Sequence, residues 1–157
     1  MHTTICQTQS CVLHLASLAL VVFASWRAWR VLVGAYLFGG LTVLRALRDR
    51  LPGESFVYLG DTARVPYGTK GADTVTRFAT EATLLLTRRG VKAVVVACNT
   101  ASAIALDRLR QITDLPVYGV IEPGVEAALR ATGGKVGVIG TLATLASDRY
   151  GQMLRAA

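Results

Sequence analysis

The residues best suited to chemistry fall in three short stretches: 98–102 (CNTAS), 60–68 (GDTARVPYG) and 140–144 (GTLAT). The first follows an unbroken apolar run, Ala93-Val94-Val95-Val96-Ala97. A β-branched run bounded by polar residues reads as a buried parallel strand. Asn99 or Thr100 can cap a helix starting near Ala101. Cys98 then sits where a central strand hands over to a helix N-terminus, the edge at which open α/β sheets bind ligands. Free amides and the helix dipole there favour an anion and lower a thiol's pKa. Such a cysteine is a candidate nucleophile or proton-transfer base; the plainer alternative is a small buried hydrophobe.

The other two stretches lie at strand ends on the same edge of a parallel sheet. Together the three offer the Cys98 thiol, the Asn99 amide, the hydroxyls of Thr100, Thr141 and Thr144, the Tyr67 hydroxyl, and backbone amides such as that of Gly68. That donor set suits a small carboxylate. For Asn99, Thr100, Thr141 and Thr144 the alternative role is helix capping, and for Tyr67 and Gly68 turn formation after Pro66. No GxGxxG or GxxxxGK[ST] follows a strand, so the phosphate signatures are missing.

These loops need a scaffold, and the chain supplies an alternation of elements. Residues 31–38 read as a strand and 41–50 as a helix with Leu41, Leu44 and Leu47 on one face. Further strands are expected at 55–59, 91–97, 117–121 and 135–139, with helices at 73–89, 101–112, 125–131 and 145–155. Such alternation predicts an α/β fold with a doubly wound parallel sheet. The expected division is 31–115 for a first α/β domain and 116–157 for the start of a second, incomplete one.

Residues 1–30 differ in character. VLHLASLALVVFASW (12–26) is apolar and is followed by Arg27 and Arg30. Fifteen apolar residues are short for a span of about 20, and no Lys or Arg precedes them as in a secretory signal. A membrane anchor, an atypical leader poorly packed on the core, and a buried helix are the expectations.

The 157 residues carry a net charge of +7, from 17 Lys and Arg against 10 Asp and Glu. The arginines are scattered, without a basic run or interleaved aromatics, which argues against nucleic acid as a partner. Cys6, Cys11 and Cys98 make an odd count, and the first two are badly spaced for zinc with His2 and His14. The expectation is a reduced, cytoplasmic thiol protein without metal.

Five segments, GGLTVLRAL (39–47), YLGDTARVPYGTK (58–70), VVVACNTASA (94–103), GVIEPG (119–124) and VGVIGTLATLAS (136–147), resemble the glutamate racemase family in order. The resemblance implies cofactor-free interconversion of L- and D-glutamate for peptidoglycan synthesis, by a cytoplasmic enzyme expected as a homodimer. It implies two cysteines on opposite faces of the substrate's α-carbon, one matched by Cys98. Tyr67-Gly68 and Asn99-Thr100 match substrate-binding pairs, and Thr141 and Thr144 resemble further polar contacts. An aspartate-type racemase and a non-catalytic carboxylate-binding fragment are the alternatives. Two departures stand out: Ala35-Tyr36 occupy the place of the family's Asp-Ser, and the Cys-Thr-His segment bearing the second cysteine has no counterpart. The chain as given is therefore expected to be a poor racemase or none.

Overall fold

The structure, a computed structural model, describes residues 20–24 and 39–157. Its sheet has four strands in the order β2-β1-β3-β4. These are β1 (Leu20–Ala24), β2 (Ser55–Leu59), β3 (Val91–Val96) and β4 (Val117–Gly119). β3 and β4 run parallel, with Val94 opposite Val117. β1 runs antiparallel to both β2 and β3.

Period-2 alternation explains how the sheet is covered on both faces. On one face Val91, Val94, Val96 and Val117 pack with Val75, Ala79 and Leu86 of α2 (Ala72–Thr87) and with Leu106 and Leu109 of α4 (Leu106–Ile112). On the other, Phe56, Tyr58, Val95 and Ala97 pack with Val43 and Leu44 of α1 (Gly39–Arg50). β3 lies between β1 and β4 and has apolar partners on both faces, so every position of its VVV run can be apolar. The α/β architecture expected from the alternation is present.

The strands differ from expectation in two places. Leu20–Ala24, in the stretch read as leader or anchor, forms β1 inside the sheet. Its LVVFA run is β-branched and aromatic, and such a run pairs in either direction when two strands leave a ladder open. The sheet is accordingly mixed. The expected strand at 135–139 does not form; Val138 is half-buried and Ile139 is 74% exposed. Apolar alternation alone does not make a strand without a partner for its amides. The expected strand at 31–38 lies outside the described residues.

The helices follow the expected positions with finer divisions. The stretch 101–112 is two segments, α3 (Asn99–Ile104) and α4, meeting at Ala105. α5 (Ile121–Ala131) begins earlier than expected, taking Pro123 in its first turn, where the missing N–H is no loss. The last helix is also two, α6 (Leu142–Ala146) and α7 (Arg149–Ala156), separated by Asp148 in the left-handed region at φ 51°. Among the described residues no helix is long and apolar enough to cross a membrane.

Candidate active site

β3 delivers its C-terminal end into a closely tied corner. Ala97 is fully buried and Cys98 is 5% exposed. Cys98 keeps an extended backbone (φ −83°, ψ 121°) and caps α3 through its sulfur, which accepts the Ala101 N–H at 3.4 Å. The small residues after it allow close packing. Ser102 Oγ donates to the Val96 carbonyl at 2.9 Å and accepts the Val120 N–H at 3.3 Å, tying strand, helix and the end of β4 together. A Cβ on Gly119 would stand 2.8 Å from Leu106 Cδ2 and 3.2 Å from Ser102 Oγ, so a side chain there would make Leu106 shift.

The thiol's electrostatics differ from what its position suggests. Burial pushes the Cys98 pKa up to about 11. The amides of Ala101 and Thr100 and the Thr100 hydroxyl pull it down, but by less. Desolvation of the thiolate outweighs the donors at the helix start, so the expected depressed pKa is corrected to a raised one. The resting thiol is protonated at neutral pH.

Beside it the three threonines meet. Thr141 caps α6, its Oγ1 accepting the Thr144 N–H at 3.2 Å. The hydroxyl oxygens are separated by 3.0 Å (Thr100–Thr141), 3.2 Å (Thr100–Thr144) and 2.9 Å (Thr141–Thr144). Thr100 and Thr144 are buried, whereas Thr141 is exposed. A hydroxyl has one proton to donate, so a closed triangle uses all three. An arriving carboxylate would have to turn at least one hydroxyl outward, and Thr141 is the member that reaches the surface. Gly68 sits against this triangle: a Cβ there would overlap the Thr141 side chain.

Tyr67 opens a short 3-10 turn (Tyr67–Thr69) and is buried. Its hydroxyl donates to Asp61 Oδ2 at 2.5 Å. Arg64 Nε donates to the other oxygen of the same carboxylate at 3.0 Å, and Arg64 also pairs with Glu81. The Arg64 guanidinium lies 4.4 Å from the centre of the Phe78 ring. Burial, then the hydrogen bond to Asp61, raises the Tyr67 pKa. The hydroxyl counted above among donors for a ligand is thus engaged by Asp61, and Tyr67 braces the turn that carries Gly68. Asp61 and Arg64 were not singled out in the sequence, although both stand in the GDTARVPYG loop.

Asn99 is held from another direction. Its Oδ1 accepts the hydroxyl of Tyr150, on α7, at 2.5 Å. Sequence reasoning missed Tyr150, because a tyrosine in an amphipathic helix signals packing and nothing more. Cys98, Thr100, Thr141, Thr144 and Gly68 are brought together, with Asn99 adjacent on α3. Ala35 and Tyr36 lie outside the described residues, as do Cys6 and Cys11. Among the described residues no group of three His, Cys, Asp or Glu side chains could hold a metal ion.

Comparison with known proteins identifies the family. The family model described as Asp/Glu/Hydantoin racemase matches residues 41–157. A glutamate racemase of Aquifex pyrophilus is 54% identical over 117 residues, covering 74% of this chain and 46% of its own length. One from Thermus thermophilus is 57% identical over 112 residues, covering 71% of this chain and 43% of its own. The crystal structure of the Aquifex pyrophilus enzyme superposes with a TM-score of 0.73 at 52% identity, over 75% of this chain and 47% of that one. A Francisella tularensis glutamate racemase in complex with D-glutamate gives a TM-score of 0.68 at 41% identity, over 74% of this chain and 44% of that one. The chain spans about half the length of the curated relatives it matches. With a family match over residues 41–157, the chain belongs to the Asp/Glu/hydantoin racemase family.

Proposed function

We propose that this chain binds glutamate at the edge formed by Cys98, Asn99, Thr100, Gly68, Thr141 and Thr144, and that Cys98 exchanges the substrate's α-proton. The carrying observation is the placement of one thiol at the end of β3, with the Ala101 amide on its sulfur and the threonine triangle at its side. The Thr141 hydroxyl and the amides of this edge are suited to a carboxylate; the thiol is suited to the acid/base step. No cofactor enters this reading: an α-proton can move between carbon and sulfur once the carboxylate is held by aimed donors. Because Cys98 rests protonated, its proton must first pass to solvent; the thiolate, held by the Ala101 amide and the Thr100 hydroxyl, then takes the α-proton and leaves the C–H electron pair as a carboxylate-stabilised carbanion. The new S–H exchanges with solvent and returns a proton to the same face, which gives exchange without inversion. Inversion needs a second acid/base on the opposite face, and among the described residues Cys98 is the single cysteine.

The relatives' name, glutamate racemase, supports L/D-glutamate interconversion as the reaction; peptidoglycan supply as its use is part of the proposal. A cytoplasmic location and a homodimer belong to the same reading. A free Cys98 thiol fits a reducing compartment, and Leu142 at 83% exposed and Ile139 at 74% leave apolar surface for a partner. The test is α-proton exchange of L-glutamate in D₂O, followed by proton NMR. The expected result is deuterium incorporation that Cys98→Ala abolishes. Incorporation that survives Cys98→Ala, or none together with no protection of Cys98 from alkylation by glutamate, overturns the proposal.

A further inference from the structure

We propose that Tyr150 is a positioning residue that fixes the orientation of the Asn99 amide, so that its NH₂ group, and not its carbonyl, faces a bound carboxylate. The inference rests on the proposed glutamate site and extends it to a residue 51 positions away on another helix. Tyr150 is half-buried on α7, packed beside Ala103, Ile121 and Val125. Its hydroxyl donates to Asn99 Oδ1 at 2.5 Å, and among the described residues that is its hydrogen-bond partner.

A primary amide has two faces of similar shape and opposite polarity. Flipped by 180°, Asn99 would offer N–H to the Tyr150 oxygen and leave the phenolic proton without an acceptor. A half-buried hydroxyl resists that loss. The phenol stays a donor over the ordinary pH range, because burial raises its pKa. With Oδ1 engaged, both Nδ2 protons remain for the sheet edge, where no side chain among the described residues takes them. A carboxylate accepts from an NH₂ group and is repelled by a carbonyl, so orientation decides whether Asn99 helps or hinders binding. α7 is held independently by Met153 and Leu154, which pack with Ile121 and Val125 of α5.

The experiment is a double-mutant cycle of Tyr150→Phe and Asn99→Ala, read by ¹H–¹⁵N NMR during titration with L-glutamate. Tyr150→Phe keeps the ring and removes only the donor. We expect it to shift the Asn99 side-chain amide signals and to weaken glutamate binding about tenfold, the scale of one hydrogen bond to a charged group. In the Asn99→Ala background the same substitution should cost nothing further. Equal losses in both backgrounds would show a merely structural tyrosine and overturn the proposal, as would unchanged Asn99 amide signals in Tyr150→Phe. A wild-type protein that does not respond to glutamate at all overturns the reading of the site itself, which the cycle separates from failure of the Tyr150 role alone.

Discussion

The Thr100 hydroxyl lies 3.0 Å from that of Thr141, and the same Thr100 hydroxyl is one of the donors that hold down the Cys98 pKa. One side chain therefore serves two neighbours with a single proton. On the proposed reading, ionisation of Cys98 should draw the Thr100 hydroxyl toward sulfur and release Thr141, and a carboxylate that draws Thr141 outward should free Thr100 for sulfur, so that binding and ionisation should favour one another. Thr100→Val should raise the Cys98 pKa further and slow its alkylation at pH 9, while leaving the fold intact by circular dichroism. An unchanged alkylation rate would remove Thr100 from this role.

Alkaline pH should destabilise the fold, and Cys98 sets part of the window. Its pKa rises from 9.0 to about 11 on folding. The folded state thus holds the proton more tightly, so the associated stability is fully present below pH 9 and is lost as pH rises through 11. The size is as much as about 3 kcal/mol, from two pKa units at a nearly fully buried group. Tyr67 acts with the same sign at higher pH. Urea unfolding at pH 8 and pH 11 measures the loss, and Cys98→Ala should remove the part that belongs to the thiol.

Gly68→Ala should disturb the site from outside the chemistry. The added Cβ would overlap Thr141, whereas at Gly53 and Gly71 it meets nothing within 4 Å. We expect a loss of about 1–3 kcal/mol, the usual cost of overpacking, together with weaker glutamate protection of Cys98. Gly53→Ala and Gly71→Ala should leave protection unchanged. Thermal melts and alkylation assays on the three variants check this.

Two buried residues bracket the core. Leu109 is fully buried between α4 and the sheet, so Leu109→Ala should cost about 2–5 kcal/mol. The Thr83 hydroxyl on α2 is buried and has no hydrogen-bond partner among the described residues. Thr83→Val keeps the shape and removes the unsatisfied hydroxyl, and should be neutral or stabilising. Chemical denaturation of both variants gives the comparison.

The sequence made the strand-to-corner geometry of Cys98 readable because a VVV run broken by CNT has few other interpretations. SFVYL at 55–59 likewise read as a strand, and the structure turns Phe56 and Tyr58 to one face and Val57 and Leu59 to the other. That Leu20–Ala24 joins the sheet was not read, because its apolar run fits a leader or anchor as well as a strand, and its direction was not readable, since a β-branched run fits a parallel or an antiparallel ladder equally well. The thiol's raised pKa was hidden for a different reason. Residue types reveal the donors near sulfur, but the depth of burial that outweighs them is a property of the packed state. Tyr150 and Asp61 could not be assigned from local sequence because each works through one hydrogen bond to a distant partner.

The sulfur of Cys98 also closes the N-terminal end of α3, accepting the Ala101 N–H. The atom proposed to carry the proton is thus part of the helix it introduces. Any reagent that bonds to it, whether an electrophilic inhibitor or an oxidant, should withdraw the cap and add bulk at a buried sulfur. Covalent capture of this thiol should therefore register as a fall in melting temperature, even before any turnover is measured. A ligand that merely occupies the edge, leaving sulfur in place, should register as a rise. The sign of a thermal shift would sort the two classes of compound.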